Sequence, residues 1–326
     1  MTMRFELTHA TDPDGAAAIM PGGWRPRVYR LHAERLHLTR KYLELAPGLS
    51  IEELRLSAGG VRVDGVFDPG VLKIGFIEAE EMRLLGCRVS NVVLGVGYGG
   101  ARFDSVGAAP GVVLTLNFSP TLARRVVPDA ALPRFLSRLS GPSGLATLLY
   151  PITPKAFALQ GEMRRLLTLA ESGAPGAAWP HDAPGGIVAA CADLIDQILR
   201  STLEIPQMAP GRRRDLALSV ELLLWEGPAA GRFGKFALDD AARRLGSSRR
   251  SIQLALQEEF GMGFVALKRA IRLQQAHAVL KNAPRIGIGE IARAHEFFHQ
   301  SRFSKQYREM FGVLPSMGPH ETQAGG

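Results

Sequence analysis

The sequence predicts an α+β protein, in which a β-rich N-terminal domain is followed by an all-α C-terminal domain. Residues 50–127 contain short runs rich in β-branched residues, interrupted by Gly, Pro, Asn and Asp, a pattern typical of strands and turns. From residue 215 onward, apolar residues instead recur at spacings of three and four, as they do in helices. The charge divides in the same way, because residues 211–326 carry 18 Lys and Arg against 11 Asp and Glu, whereas the preceding 210 residues are almost neutral.

The composition limits the class of protein. With 46% hydrophobic residues the chain can form a hydrophobic core. It contains no run of 18 apolar residues, the length that would indicate a membrane-spanning helix. The N-terminus lacks the basic-then-apolar order of a signal peptide, and the two cysteines form neither a disulfide framework nor a zinc-finger set. We therefore expect a cytoplasmic protein that does not engage a membrane, and a basic C-terminal domain that binds a polyanion such as nucleic acid.

In the N-terminal domain, residues 1–203, the strand-like runs include "SIEELRLSAGGVRVDGVF" and "PGVVLTLNFSP". Helical spacing of apolar residues then predicts helices over Leu132–Ser140, Lys155–Glu171 and Ile187–Leu203. The stretch "EIPQMAPGRRR", residues 204–214, has two prolines and a glycine and is predicted to be a linker.

The C-terminal domain is predicted to span residues 215–318, followed by a tail at 319–326. Gly246, Gly261 and Gly312 separate its helices, and Ser247 or Ser248 can cap the one after Gly246. The predicted helices are Asp215–Trp225, Leu238–Leu245, a helix from the Ser cap to about Phe260, Phe264–Lys281, a short helix near Gly289–Ala294, and Gln300–Phe311.

This domain contains an internal duplication. "LDDAARRLGSSRRSIQLALQEEFG" aligns with "IGEIARAHEFFHQSRFSKQYREMFG", at a separation of 50 residues before one inserted residue and 51 after it. The matched pairs are Leu238 with Ile288, Ala242 with Ala292, Ile252 with Phe303, Leu256 with Tyr307, Phe260 with Phe311 and Gly261 with Gly312. Each copy consists of a short helix, a turn and a second helix, so the duplication predicts two helix-turn-helix units joined by Phe264–Lys281.

One stretch permits a different interpretation. "HEFFH", residues 295–299, spells the H-E-x-x-H signature in which His295 and His299 would bind zinc and Glu296 would activate a water. That chemistry needs both histidines one turn apart on a continuous helix, together with a third ligand. Arg302 and Lys305 occupy the positions where the extended form of the signature has Gly and His.

The duplication also bears on this alternative, because it aligns Glu296 with Gly246 and so places "HEFFH" across a turn. The sequence therefore predicts no metal at this stretch, no cofactor and no enzymatic activity, with a zinc-dependent hydrolase kept as the alternative. A second alternative is an architectural DNA binder without an effector. The near-neutral N-terminal domain argues against it, since packaging DNA needs only a basic surface.

The two units resemble the DNA-binding domain of the AraC/XylS family of transcription regulators. The resemblance covers about residues 213–316 and rests on "AARRLGSSRRSIQLALQEEFG", on "RLQQAHAVL" in the joining helix, and on "IGEIARAHEFFHQSRFSKQYREMFGVLPS". This sequence departs from the family in having Glu296 where glycine is usual and Leu254 where many relatives have a polar residue.

The resemblance implies a regulator that inserts two recognition helices into successive major-groove segments of double-stranded DNA. It also implies a cupin-like N-terminal domain with helices that dimerises and senses a small-molecule effector, and an activator's contact with RNA polymerase. By analogy with the family, the residues nearest the bases are Arg250, Gln253, Leu254, Gln300, Ser301, Ser304 and Lys305. Phosphate contacts are assigned to Arg249, Lys281 and Arg308.

Overall fold

The fold is taken from a computed structural model of the 326-residue chain. It describes residues 4–20, 24–30, 36–79, 82–84, 87–89, 93–98, 102–108, 110–139, 147–173, 179–180, 182–200, 211–226, 236–282 and 286–317. The described chain divides into two compact units, one made mostly of residues 1–209 and the other containing Pro210–Gly326. Within the described part of the chain, no helix is long and apolar enough to cross a membrane.

The N-terminal unit is rich in strands, as predicted. The strands are β1 (Arg4–Ala10), β2 (Trp24–Arg30), β3 (His37–Ala46), β4 (Leu49–Ala58), β5 (Gly60–Phe67), β6 (Leu72–Ala79), β7 (Met82–Leu84), β8 (Cys87–Val89), β9 (Val93–Tyr98), β10 (Arg102–Ala108), β11 (Gly111–Phe118) and β12 (Thr147–Pro151). Among the described residues they form a seven-stranded sheet in the order β1-β3-β4-β11-β6-β9-β12 and a five-stranded sheet in the order β2-β5-β10-β7-β8. The α+β class is therefore confirmed, and the cupin-like outline stays a prediction.

Both units also contain helices. In the N-terminal unit they are α1 (Pro13–Ile19), α2 (Pro120–Val126), α3 (Leu132–Leu139), α4 (Pro154–Glu171) and α5 (Ala183–Arg200). In the C-terminal unit they are α6 (Arg212–Glu226), α7 (Leu238–Arg244), α8 (Arg249–Phe260), α9 (Phe264–Asn282), α10 (Ile288–Ala294) and α11 (Gln300–Phe311).

Three details of the sequence interpretation need correction. The strand-rich region does not extend to residue 127, because α2 begins after Ser119, whose Oγ accepts a hydrogen bond from the Leu122 N–H, and Pro120 suits the first turn of a helix. The sequence predicts no element before residue 50, yet β1 and β3 pair there in antiparallel register. Helix α6 begins at Arg212, inside the predicted linker, while residues 204–210 lie outside the described part, so the domain boundaries stay predictions.

The two faces of the seven-stranded sheet carry different side chains. One face carries apolar side chains such as Leu43, Ile51, Ile74 and Leu116, which belong to the same buried core as residues of α2, α4 and α5. Because successive residues of a strand point to opposite faces, the other face of β4, β6 and β11 carries a different set.

That second set is polar and buried. Ser50, Asn117 and Lys73 form a row across the three strands, in which Lys73 Nζ donates to Asn117 Oδ1 at 2.6 Å and Asn117 Nδ2 donates to Ser50 Oγ at 3.3 Å. Glu52 lies two residues from Ser50 and is ion-paired with Arg40. Burial raises the pKa of Glu52 and lowers the pKa of Lys73 to about 8. The N-terminal unit therefore keeps opposite charges inside its fold.

Candidate nucleic-acid interface

The two predicted helix-turn-helix units are present, and their turns have the same hydrogen bonds. After α7, the Ser247 N–H donates to the carbonyl of Ala242 at 3.0 Å; after α10, the Phe297 N–H donates to the carbonyl of Ala292 at 2.8 Å. This six-to-one bond is the mark of a Schellman turn, which closes a helix through a residue with left-handed backbone. The same backbone turn therefore occurs twice, 50 residues apart.

The residue in the left-handed position differs between the two turns. Gly246 has a φ of 57° in the first helix-turn-helix unit, and Glu296 has a φ of 61° in the second. Glu296 is the non-glycine residue with positive φ among those that the structure describes. A side chain in this conformation costs about 1–2 kcal/mol, which glycine avoids.

The strained residue, Glu296, contacts the joining helix α9. The Glu296 side chain is largely buried, and its Oε2 lies 3.3 Å from Lys268 Nζ and 3.6 Å from Arg272 Nη1. Arg272 contacts the two neighbours of Glu296 as well: its Nε donates to the His295 carbonyl at 2.7 Å, and its guanidinium lies 4.5 Å from the centre of the Phe297 ring. One arginine thus holds three consecutive residues of the second turn.

The zinc interpretation of "HEFFH" fails on this geometry. His295 is the C-terminal cap of α10, and His299 precedes the first residue of α11, so the two histidines do not lie on one continuous helix. His295 is buried, and burial together with the nearby Arg272 guanidinium holds its pKa below its usual range. No cluster of three His, Cys, Asp or Glu residues that could hold a metal occurs within the described ranges.

The inward face of α11 is aromatic. Phe303, Tyr307 and Phe311 are buried, and Tyr307 Oη lies 2.6 Å from Nδ1 of His277 on α9. Phe311 stacks on the His277 ring with the ring centres 4.2 Å apart. Since buried aromatic rings contribute large contact areas, this cluster fixes how α11 sits on α9 and which of its faces remains outside.

On α8 the predicted DNA-contacting residues have different surroundings. Arg250 and Leu254 are exposed, and Arg249 is exposed but forms an ion pair with Asp239 at the start of α7. Gln253 is half-buried, and its Oε1 accepts a hydrogen bond from the Phe264 N–H at 3.2 Å, at the first turn of α9. Gln253 therefore caps the joining helix in this structure, and its assignment to base reading stays a prediction.

On α11 and α9 the remaining candidates are mostly exposed. Gln300, Ser301, Lys305 and Arg308 are exposed, whereas Ser304 is half-buried. Lys305 Nζ lies 4.0 Å from Glu309 Oε1, at the limit of an ion pair. Lys281, in the last turn of α9, is exposed as well.

Two features of this region were not predicted from the sequence. The capping role of Gln253 depends on the chain folding back between Gly261 and Phe264, and no spacing rule gives that contact. The contact of Arg272 with an anion could have been suspected from its position one helical turn after Lys268, since two cations on one face of α9 repel each other and a nearby anion relieves that repulsion.

Comparison with known proteins agrees with this geometry. Residues 241–317 match a family model described as a helix-turn-helix domain. A curated relative, the probable thc operon regulatory protein of Rhodococcus erythropolis, is 38% identical over 77 residues. The aligned part is 23% of this chain and 23% of the relative, so the chain spans about a quarter of the length of that protein.

Solved structures with detectable likeness include three proteins. The C-terminal domain of AraT, a response regulator from Geobacillus stearothermophilus, is 21% identical and covers 33% of this chain and 85% of that chain, with a TM-score of 0.29. A probable AraC family transcriptional regulator from Rhodopseudomonas palustris is 26% identical and covers 32% and 93%, with a TM-score of 0.29. ToxT from Vibrio cholerae is 13% identical and covers 83% and 97%, with a TM-score of 0.33.

All three TM-scores are below 0.5, so the assignment rests on the matching family model and on the duplicated turns. The C-terminal region of this chain therefore carries a helix-turn-helix domain, over residues 241–317.

Proposed function

We propose that the protein is a sequence-specific DNA-binding transcription regulator that uses α8 and α11 as its two recognition helices. The observation that carries this proposal is the repetition of one Schellman turn, each copy followed by a helix with a buried apolar face and an exposed polar face. A helix-turn-helix unit places such a helix in the major groove, and two units in series place two helices in successive groove segments. The net charge of residues 211–326 favours a polyanionic partner.

The candidate DNA-contacting residues of α8, α9 and α11 divide into two roles. Contact with base edges is proposed for five exposed residues, namely Arg250, Leu254, Gln300, Ser301 and Lys305. Half-buried Gln253 and Ser304 are proposed as base readers at the border of that face. Phosphate contacts, which position the protein without specifying sequence, are assigned to exposed residues at the margins, namely Arg249, Lys281 and Arg308.

The N-terminal unit is proposed to carry dimerisation and the response to a small-molecule effector, as an AraC-type regulator in the cytoplasm would require. Its continuous core and near-neutral charge suit a domain that binds something other than DNA. Activation through contact with RNA polymerase belongs to the same proposal. The protein is proposed to have no catalytic activity and no resident cofactor.

Selection from a pool of random DNA duplexes tests the central claim. The full-length protein should enrich one sequence pattern with two conserved segments about one helical turn apart. Arg250→Ala should weaken binding to the selected site by about 1–3 kcal/mol and change binding to an unrelated duplex much less. Arg308→Ala should weaken both alike and make the slope of log affinity against log salt shallower by about 0.9. A wild-type protein that enriches no pattern would refute the proposal.

A further inference from the structure

The outward face of α8 is centred on an apolar residue. Its buried face is formed by Ile252, Ala255, Leu256 and Phe260. Residues follow one another at about 100° around a helix, so the direction opposite this buried face passes close to position 254. The residue there is Leu254, which is 41% exposed.

Two polar side chains that flank Leu254 on the surface of α8 contact other parts of the protein. Gln253 caps α9, and a Cβ atom on Gly263 would lie only 2.8 Å from its Oε1, so this side chain is held closely at the corner between α8 and α9. Glu258 is ion-paired with Arg213 of α6. Between the Gln253 corner and the Glu258 ion pair lies a stripe of Arg250, Leu254 and Gln257, all exposed and spaced by four and three residues.

In this stripe the apolar side chain of Leu254 lies between two side chains that can form hydrogen bonds. Arg can donate two hydrogen bonds to a guanine edge and Gln can pair with an adenine edge, whereas a leucine can do neither. The apolar feature that the major groove offers is the 5-methyl group of thymine. A single exposed leucine is common on protein surfaces, but this one lies at the centre of a helix face that the proposed function sets against base edges.

The second helix-turn-helix unit does not repeat this chemistry. At a separation of 51 residues, Arg250, Leu254 and Gln257 correspond to Ser301, Lys305 and Arg308. The α11 stripe therefore has two cations and no apolar side chain, which suits guanine edges and phosphates. Methyl recognition is expected in the DNA segment bound by α8 alone.

We propose that Leu254 reads the 5-methyl group of one thymine in the DNA segment bound by α8, and so determines specificity at that base pair. The proposal rests on the proposed function, because it needs α8 to lie in the major groove. It assigns to Leu254 a van der Waals contact with that methyl group.

The test replaces each thymine of the selected site, one at a time, with deoxyuridine, which pairs in the same way and lacks only the methyl group. Full-length wild-type protein should lose about fourfold in affinity at one position in the α8 segment, the equivalent of one buried methyl group. Leu254→Ala should bind the thymine and deoxyuridine duplexes equally at that position. Leu254→Met, which keeps an apolar side chain, should retain most of the discrimination.

Leu222→Ala is the matched control, since Leu222 is an exposed leucine on α6, outside both helix-turn-helix units. It should respond to deoxyuridine as the wild type does. The inference is overturned if the wild type selects a site but tolerates deoxyuridine at every position, or if Leu254→Ala keeps the wild-type response. If the wild type selects no site, the proposed function itself has failed.

Discussion

The two helix-turn-helix units share one backbone turn but stabilise it in different ways. In the first unit the left-handed position is a glycine, Gly246, and the next helix is capped by Ser248, whose Oγ accepts a hydrogen bond from the Ser251 N–H at 3.0 Å. In the second unit that position is Glu296, and His299 gives α11 no side-chain cap. The first turn is thus favoured by its own residues, whereas the second depends on contacts with α9.

Two copies of a motif can therefore share one backbone geometry and be stabilised by different contacts. The first turn should tolerate changes in α9, and the second should not. Four sets of substitutions test this contrast, and the first is expected to change stability the most.

Arg272→Met should lower the free energy of unfolding by about 2 kcal/mol, because it removes a hydrogen bond to the backbone and one of two cations beside a buried carboxylate. Urea unfolding measures the loss, and amide hydrogen exchange should place it around residues 291–299. Arg269→Met, which replaces an exposed arginine on the same helix, is the control and should change little. Equal losses for the two variants would contradict the dependence of the second turn on α9.

The cost of the left-handed residue can be measured in both units. Gly246→Ala should destabilise the protein by about 1 kcal/mol through backbone strain alone, since a Cβ atom there meets nothing within 4 Å. Glu296→Ala keeps the strain and removes the ion pairs, whereas Glu296→Gly removes both. Glu296→Gly should therefore be more stable than Glu296→Ala by the same amount of about 1 kcal/mol. Urea unfolding of the three variants gives both differences, and a clear mismatch would mean that the two turns are not equivalent.

The N-terminal cap is present on α8 and absent from α11, and one substitution in each helix can reverse this. Ser248→Ala should destabilise the protein by about 1 kcal/mol, because it removes the acceptor for the Ser251 N–H. His299→Ser should stabilise it by roughly half as much, since it supplies a cap that α11 lacks. Thermal unfolding monitored by circular dichroism compares both with the wild type, and a loss of stability in His299→Ser would show that the exposed histidine contributes in another way.

The smallest expected effect is a dependence on pH confined to the second helix-turn-helix unit. Burial lowers the pKa of His295 in the folded protein, so as pH falls below the ordinary value of 6.5 the unfolded chain takes up the proton first. The stability contributed by neutral His295 is present above pH 6.5 and is lost as pH falls toward the folded pKa. The first unit has Leu245 at this position. His295→Leu should therefore reduce the loss of stability between about pH 7.5 and pH 5, measured by urea unfolding, with about pH 8 as the reference.

Much of the C-terminal unit could be predicted from the sequence because the duplication constrains it. The alignment of Glu296 with Gly246 is enough to place "HEFFH" on a turn, and the Schellman hydrogen bonds confirm that placement. The cap formed by Gln253 was not predictable, since it depends on where α9 begins relative to α8. In the N-terminal unit, α2 was missed because "SPTLARRV" follows a strand directly, and the start signal of Ser119 and Pro120 also fits a turn.

In the proposed function, the length of the joining helix α9 also sets the spacing of α8 and α11 along the DNA. Its 19 residues rise about 28 Å, a length similar to the roughly 34 Å that separates successive major-groove segments on one side of a duplex. Inserting a single residue would rotate everything beyond it by about 100° and, in the proposed complex with DNA, turn the exposed face of α11 away from the groove that α8 follows. The number of residues in α9 is therefore constrained more tightly than their identity. Functional variants of this chain should accept substitutions along α9 far more readily than insertions or deletions.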